Sequence, residues 1–237
     1  MGRRVFGATA AAMLGLCLTA SLRDAHAQSY GYQRDQDPLV PNTKEAIRRA
    51  RDGEWEKLDD ALAALGPAIE ETKKTLGVDL TTKLESARKA KDARLFAYAL
   101  VELSFQSLRI KLASNLRDEL KNGVAARVRI DSVAIYYEEI LAHAVRRADE
   151  TQKQTRHKQI VDTLDELKRS VGSAGLFGLG ERQPNVARAR ELSAQLERVL
   201  REVFTDFEVG GAAPPVAPPG IPPSGTPPPS RPAGERR

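Results

Sequence analysis

Three side chains in the middle of the chain have the chemistry of a metal site. Glu139 and His143 lie four residues apart, which places them on one face of a helix. Glu102 lies in the apolar stretch 95–108, where a carboxylate is costly to bury unless it is paired. If the two helices pack antiparallel, Glu102 could face Glu139 and His143. Two carboxylates and an imidazole suit a divalent iron, manganese or zinc ion.

The same residues also fit a structural hydrogen-bond network, and we favour this interpretation. Buried polar groups are normally hydrogen-bonded within the protein, so Glu102 and Glu139 would need partners. The nearby candidates are Tyr98, Gln106, Arg109, Tyr136 and Arg146. Ferritin-like bundles use Glu-x-x-His from two helices, whereas here the spacing from Glu139 to His143 is longer by one residue and occurs once. The sequence resembles no family closely enough for us to assign one.

No catalytic motif is visible elsewhere in the chain. His157 lies in the polar stretch 153–158 and is predicted to be solvated. On one continuous helix it would lie about 21 Å from His143, too far for the two to share an ion. The glycine-rich segment 172–180 lacks the Gly-Lys-Ser/Thr of a phosphate loop, and there is no Gly-x-Ser-x-Gly. The sequence therefore favours a protein that is not an enzyme.

Residues 1–27 have the three parts of a secretory signal peptide. Arg3 and Arg4 precede an apolar run, and Ala25-His26-Ala27 provides small residues for cleavage before Gln28. Arg3-Arg4-Val5-Phe6 is also similar to the core of a twin-arginine signal, so both export routes stay open. A lipid anchor at Cys17 is not expected, because Leu16 precedes it where the lipid-anchor motif needs a small residue. We expect the mature protein to be periplasmic or secreted.

Charge and cysteine content narrow the function further. The formal net charge is +5, but residues 1–27 and 211–237 each contribute +2, so residues 28–210 carry only +1. A nearly neutral domain does not indicate nucleic-acid binding. Cys17 is the only cysteine, and it is removed with the signal peptide, so no disulfide is expected. No segment of the mature chain is apolar for long enough to predict a membrane span.

The hydrophobic periodicity predicts an all-α fold, an antiparallel bundle of four to five long, kinked helices. We expect a flexible lead-in over 28–41, a bundle domain over 42–208 and a disordered, Pro/Gly-rich tail over 209–237. Asn42 is the expected cap of the first helix, with Glu45 three residues later. The polar stretch 149–159 indicates either one helix projecting past the core or two helices that meet there.

Together these features predict an exported, soluble helical bundle of the bacterial envelope that acts as a binding or interaction module. Its partner would be an envelope protein or a second copy contacted through helix faces, with neither nucleic acid nor a membrane span involved. No cofactor is predicted under this hypothesis. The alternative is a metal- or small-ligand-binding bundle with its site around Glu102, Glu139 and His143.

Overall fold

A computed structural model describes residues 37–172 and 182–207. Helices make up 81% of these residues, and this part of the chain contains no strands. The prediction of an all-helical bundle is therefore confirmed. No helix in the described ranges combines the length and apolarity needed to cross a membrane. The predicted signal peptide, most of the lead-in and the tail from residue 209 lie outside the described residues.

In the described residues the bundle consists of eight α-helices, one 3₁₀ turn and one π-helical segment. The α-helices are α1 (Leu39–Arg51), α2 (Asp59–Leu76), α3 (Thr81–Lys89), α4 (Ala93–Arg117), α5 (Gly123–Tyr136), α6 (Ala142–Gln152), α7 (Arg156–Ser170) and α8 (Val186–Val203). A 3₁₀ turn spans Trp55–Lys57, and a π-helical segment (Tyr137–Leu141) joins α5 to α6 without a break. Seven helices pack together when α5 and α6 are taken as one, so the predicted number of four to five is not confirmed.

Helix α4 is the centre of the bundle. It packs against α1, α2, α3, α5 and α8. Its first turn is capped by Asp92, whose carboxylate accepts hydrogen bonds from the N–H groups of Arg94 and Leu95, both at 2.9 Å. Buried residues occur all round the helix from Phe96 to Asn115. The apolar residues that the sequence has on every side of the helical wheel over 95–108 are typical of a buried, central helix, and α4 has that position.

Glycine and asparagine set three of the other helix ends. Gly77 ends α2 in the left-handed conformation at φ +71°, which a residue with a Cβ adopts only under strain. Asn122 and Asn185 cap α5 and α8 through their side-chain oxygens. The expected cap at Asn42 is wrong, because α1 begins at Leu39 and the Asn42 amide donates to the Pro38 carbonyl.

The polar stretch 149–159 is a joint between two helices, the second of the two alternatives. Helix α6 ends at Gln152, and Lys153 takes the left-handed conformation at φ +53°. Asp149 then reaches across the joint. Its carboxylate accepts from the backbone N–H of His157 at 2.7 Å and from Arg156 Nε at 2.9 Å. One buried carboxylate therefore fixes the start of α7 relative to α6.

Candidate functional site

A cleft of about 420 Å³ lies where the start of α1 meets α2, α4 and α5. Its lining combines apolar side chains, most of them from α2, with polar groups from all four elements. The polar groups are Asp37 at the start of α1, Glu71 of α2, Ser107 and Lys111 of α4, and Ser132 and Tyr136 of α5. A concave site of this size, partly apolar and with a few converging polar groups, is the usual form of a small-ligand site.

Asp37, Lys111 and Tyr136 form a connected cluster at one end of the cleft. The Asp37 carboxylate accepts hydrogen bonds from the Tyr136 hydroxyl and, at 3.1 Å, from the backbone N–H of Leu39. Lys111 Nζ lies 3.4 Å from the same carboxylate and 5.4 Å from the centre of the Tyr136 ring. An ammonium is therefore held between a carboxylate and an aromatic face, a favourable arrangement for a cation.

Tyr136 acts in this cluster as a hydrogen-bond donor and not as a base. The side chain is buried, and burial raises its pKa well above the usual range. The hydrogen bond to Asp37 acts in the same direction, because it stabilises the protonated hydroxyl. At neutral pH the Tyr136 hydroxyl therefore keeps its proton and donates a hydrogen bond to the Asp37 carboxylate.

Helix α2 forms the apolar wall and the rim of the cleft. Ala64, Leu65 and Ala68 provide the wall, with Pro67 between them. Pro67 has no N–H, so the Ala63 carbonyl one turn earlier loses its helix donor. Glu71 lies at the exposed rim and makes no ion pair with the described residues. The lining thus carries two carboxylates, Asp37 and Glu71, and one ammonium.

The predicted site residue Glu102 is buried in α4 and paired with a lysine. Only 1% of its side chain is exposed. Both of its oxygens accept from Lys83 Nζ of α3, at 3.0 and 3.2 Å. The expectation that this carboxylate would be buried and paired is correct, but the sequence interpretation did not identify Lys83 as a partner.

Glu139 and His143 lie in other surroundings. Glu139, in the π-helical segment, is 46% exposed and pairs with Lys44 of α1 at 2.8 Å. His143 is exposed on α6. In the described ranges no group of three or more His, Cys, Asp or Glu side chains is placed to hold a metal ion. The structure therefore gives each glutamate a lysine partner and does not gather the two with His143.

Gln106 and Arg109 of α4 belong to a hydrogen-bond network that links α4 to α8. Arg109 is 4% exposed, donates to Gln106 Oε1 at 2.8 Å and pairs with Glu197 of α8 at the same distance. Arg146, the other arginine expected to satisfy the glutamates, pairs instead with Glu138 at 3.3 Å. Arg109 thus pairs with Glu197, a residue that the network interpretation did not include, whereas the two predicted glutamates pair with lysines.

His157 is half-buried and hydrogen-bonded, which corrects the interpretation that its polar sequence context leaves it simply solvated. Its Nδ1 lies 2.7 Å from the Tyr137 hydroxyl, and the two rings stack with centroids 5.8 Å apart. The turn at Lys153 brings the start of α7 back beside the π-helical segment, so His157 reaches a tyrosine twenty residues earlier in the chain. Local polarity could not indicate this contact.

The sequence interpretation missed the cleft because Asp37 fell in the segment assigned as a flexible lead-in. Two pairs could have pointed to it. Ser107 and Lys111 are spaced i, i+4 on the helix expected to be buried, and Ser132 and Tyr136 have the same spacing on the next helix. Polar groups at inward positions of neighbouring helices indicate a polar site between them.

Comparisons of the chain with family models, with curated proteins and with solved structures found no match.

Proposed function

We propose that this protein is an exported, soluble binding module of the bacterial periplasm or cell envelope, and that the cleft at Asp37, Lys111 and Tyr136 is its binding site. The observation that carries the proposal is the convergence of these three groups beside an apolar wall. Their mutual hydrogen bonds hold them in place before a ligand arrives, which lowers the cost of ordering on binding.

Binding fits this cluster better than catalysis does. The Tyr136 hydroxyl keeps its proton, and the Asp37 carboxylate is occupied by two donors and an ammonium. Such a set can orient a ligand, but the carboxylate is poorly placed to accept a proton from a substrate. A protein partner or a second copy remains compatible with the proposal, through the exposed Leu95, Tyr98 and Val124.

A thermal-shift screen with a cleft-blocking variant tests the proposed site. Ala64 lines the cleft, so Ala64→Trp should fill part of it. Glu70 lies on the exposed side of the same helix, and Glu70→Trp is the matched control. We expect small molecules that raise the Tm of the mature protein and of Glu70→Trp but not that of Ala64→Trp. Ligands that stabilise Ala64→Trp equally would place binding elsewhere.

The proposed export rests on residues 1–27 and has its own test. The mature protein, recovered from the periplasmic fraction or the medium, should begin at Gln28 by amino-terminal sequencing. Replacing both Arg3 and Arg4 by lysine distinguishes the routes, because the twin-arginine pathway reads the arginines themselves. Full export of this double variant would assign the protein to the general secretory route, and an uncleaved protein in the cytoplasm would refute the signal peptide.

A further inference from the structure

We propose that the cleft takes a ligand with a primary ammonium group on a small apolar body, and that Glu71 binds the ammonium. This inference rests on the proposed function and adds the class of ligand. It follows from the charges of the lining, from the way the cleft already holds one ammonium, and from the apolar wall of α2.

The charge of the lining favours a cation. Asp37 and Glu71 are carboxylates, and Lys111 is the only cation among the described lining residues. Lys111 is already committed to Asp37 and to the Tyr136 ring. Glu71 makes no ion pair with a described residue. It is therefore the lining carboxylate that a ligand with N–H donors can meet.

The Lys111 side chain shows how the cleft accommodates an ammonium. Its Nζ lies 3.4 Å from the Asp37 carboxylate and 5.4 Å from the centre of the Tyr136 ring. The ammonium thus has both a carboxylate and an aromatic face as neighbours. A ligand amine at Glu71 would repeat the carboxylate contact at the second carboxylate of the same cleft.

The wall and the volume define the body of the ligand. Ala64, Leu65, Ala68 and Val128 are apolar and line the same cleft as Lys111 and Glu71. Burial of apolar surface against them would provide affinity without further polar groups. The cleft volume of about 420 Å³ suits a body of the size of one aromatic ring with a short chain.

The same arrangement discriminates against anions. A carboxylate or phosphate ligand would approach Asp37 and Glu71, two like charges, and would compete with Asp37 for Lys111. Like-charge contacts of this kind cost binding free energy and are a common source of specificity.

Isothermal titration calorimetry of the mature protein with three matched probes tests the inference. Phenethylamine, 2-phenylethanol and phenylacetate share one apolar body and differ in charge. We expect phenethylamine to bind with a Kd of about 1 mM or tighter, and the alcohol and the acid to bind several-fold more weakly. Glu71→Gln removes the charge at the rim and should raise the Kd of phenethylamine by about fivefold.

Two control variants separate the possible outcomes. Glu70→Gln removes the same charge one residue along, about 100° around the helix and outside the cleft, and should leave binding of the amine unchanged. Ala64→Trp should abolish it. Absence of phenethylamine binding, or equal losses in Glu71→Gln and Glu70→Gln, would overturn the inference. Cleft binding of the alcohol or the acid, lost in Ala64→Trp, would overturn it and leave the proposed binding function standing.

Discussion

Lys83 donates to both oxygens of the Glu102 carboxylate, at 3.0 and 3.2 Å, although the two side chains differ greatly in exposure. The glutamate is 1% exposed and the lysine 38% exposed. The lysine stem therefore reaches inward from the surface of α3, and its charged end meets the buried carboxylate of α4. The pair satisfies a charge that the fold has removed from water, and it ties the short helix α3 to the central helix.

We expect Glu102→Ala to destabilise the protein by about 1–3 kcal/mol, because buried hydrogen-bonded charge is lost and a cavity is left. Glu139→Ala is the matched control, since that glutamate is 46% exposed and its pair with Lys44 should contribute about 0.2–1 kcal/mol. Urea unfolding followed by circular dichroism measures both. An equal loss of unfolding free energy in the two variants would mean that the Lys83–Glu102 pair contributes no more than a surface ion pair.

Alkaline pH should destabilise the protein through its buried tyrosines. Burial raises the pKa of Tyr136 and of Tyr137 in the fold, whereas in the unfolded chain both titrate near about 10. Below that pH both states hold the protons and the stabilisation is complete. Above it the unfolded chain loses its protons first, so the free energy of unfolding falls as the pH rises.

Tyr136→Phe should make this alkaline loss shallower and should cost about 1 kcal/mol at neutral pH through the lost hydrogen bond to Asp37. Tyr98 is 43% exposed, so Tyr98→Phe should have a smaller effect on how the free energy of unfolding depends on pH. Urea unfolding at several pH values, together with tyrosinate absorbance, provides the measurement. An unchanged profile in Tyr136→Phe would show that this phenol does not cause the alkaline loss.

The carboxyl-terminal limit of the folded domain can be located by two truncations. Phe204 and Phe207 are buried and lie 6.0 and 5.5 Å from the Phe105 ring of α4, centroid to centroid. A chain that stops after Glu208 should keep its helical signal and its free energy of unfolding. A chain that stops after Val203 loses both rings and should be less stable by about 3 kcal/mol or more. Loss of helical signal in the chain that stops after Glu208 would contradict the predicted tail over 209–237.

The metal hypothesis around Glu102, Glu139 and His143 stays a prediction, and elemental analysis tests it. The mature protein should be isolated from its native compartment without a chelator or a histidine tag. Because both glutamates pair with lysines, we expect iron, manganese and zinc well below one ion per chain. Near-stoichiometric metal that is lost in His143→Ala would contradict this expectation and restore the metal site.

Local sequence signals predicted the helices of this protein better than their contacts. Gly77, Asp92, Asn122 and Asn185 act within one or two turns of their own position, so their roles could be derived from neighbouring residues. The burial of α4 followed from its apolar residues in the same way. The number of helices was harder to predict, because the turn at Lys153 depends on the contact between Asp149 and Arg156 across the joint.

The candidate site depended on pairings over long sequence separations. Asp37 and Tyr136 are 99 residues apart, and Lys83 meets Glu102 only because α3 folds back on α4. The polar spacing on α4 and α5 showed which faces carry hydrogen-bonding groups. It could not show which groups would meet, because that follows from the packing order of the helices.

The central helix also affects how the protein must fold during synthesis. Helices α1 to α3 leave the ribosome before α4, yet all three pack on it. A nascent chain that ends before Ala93 therefore lacks the helix on which all three pack. Helices α1 and α2 can then bury apolar surface mainly against each other, and an amphipathic helix alone in water is marginal. Residues 37–92 should stay open to chaperones and to the export machinery until about 25 further residues have emerged.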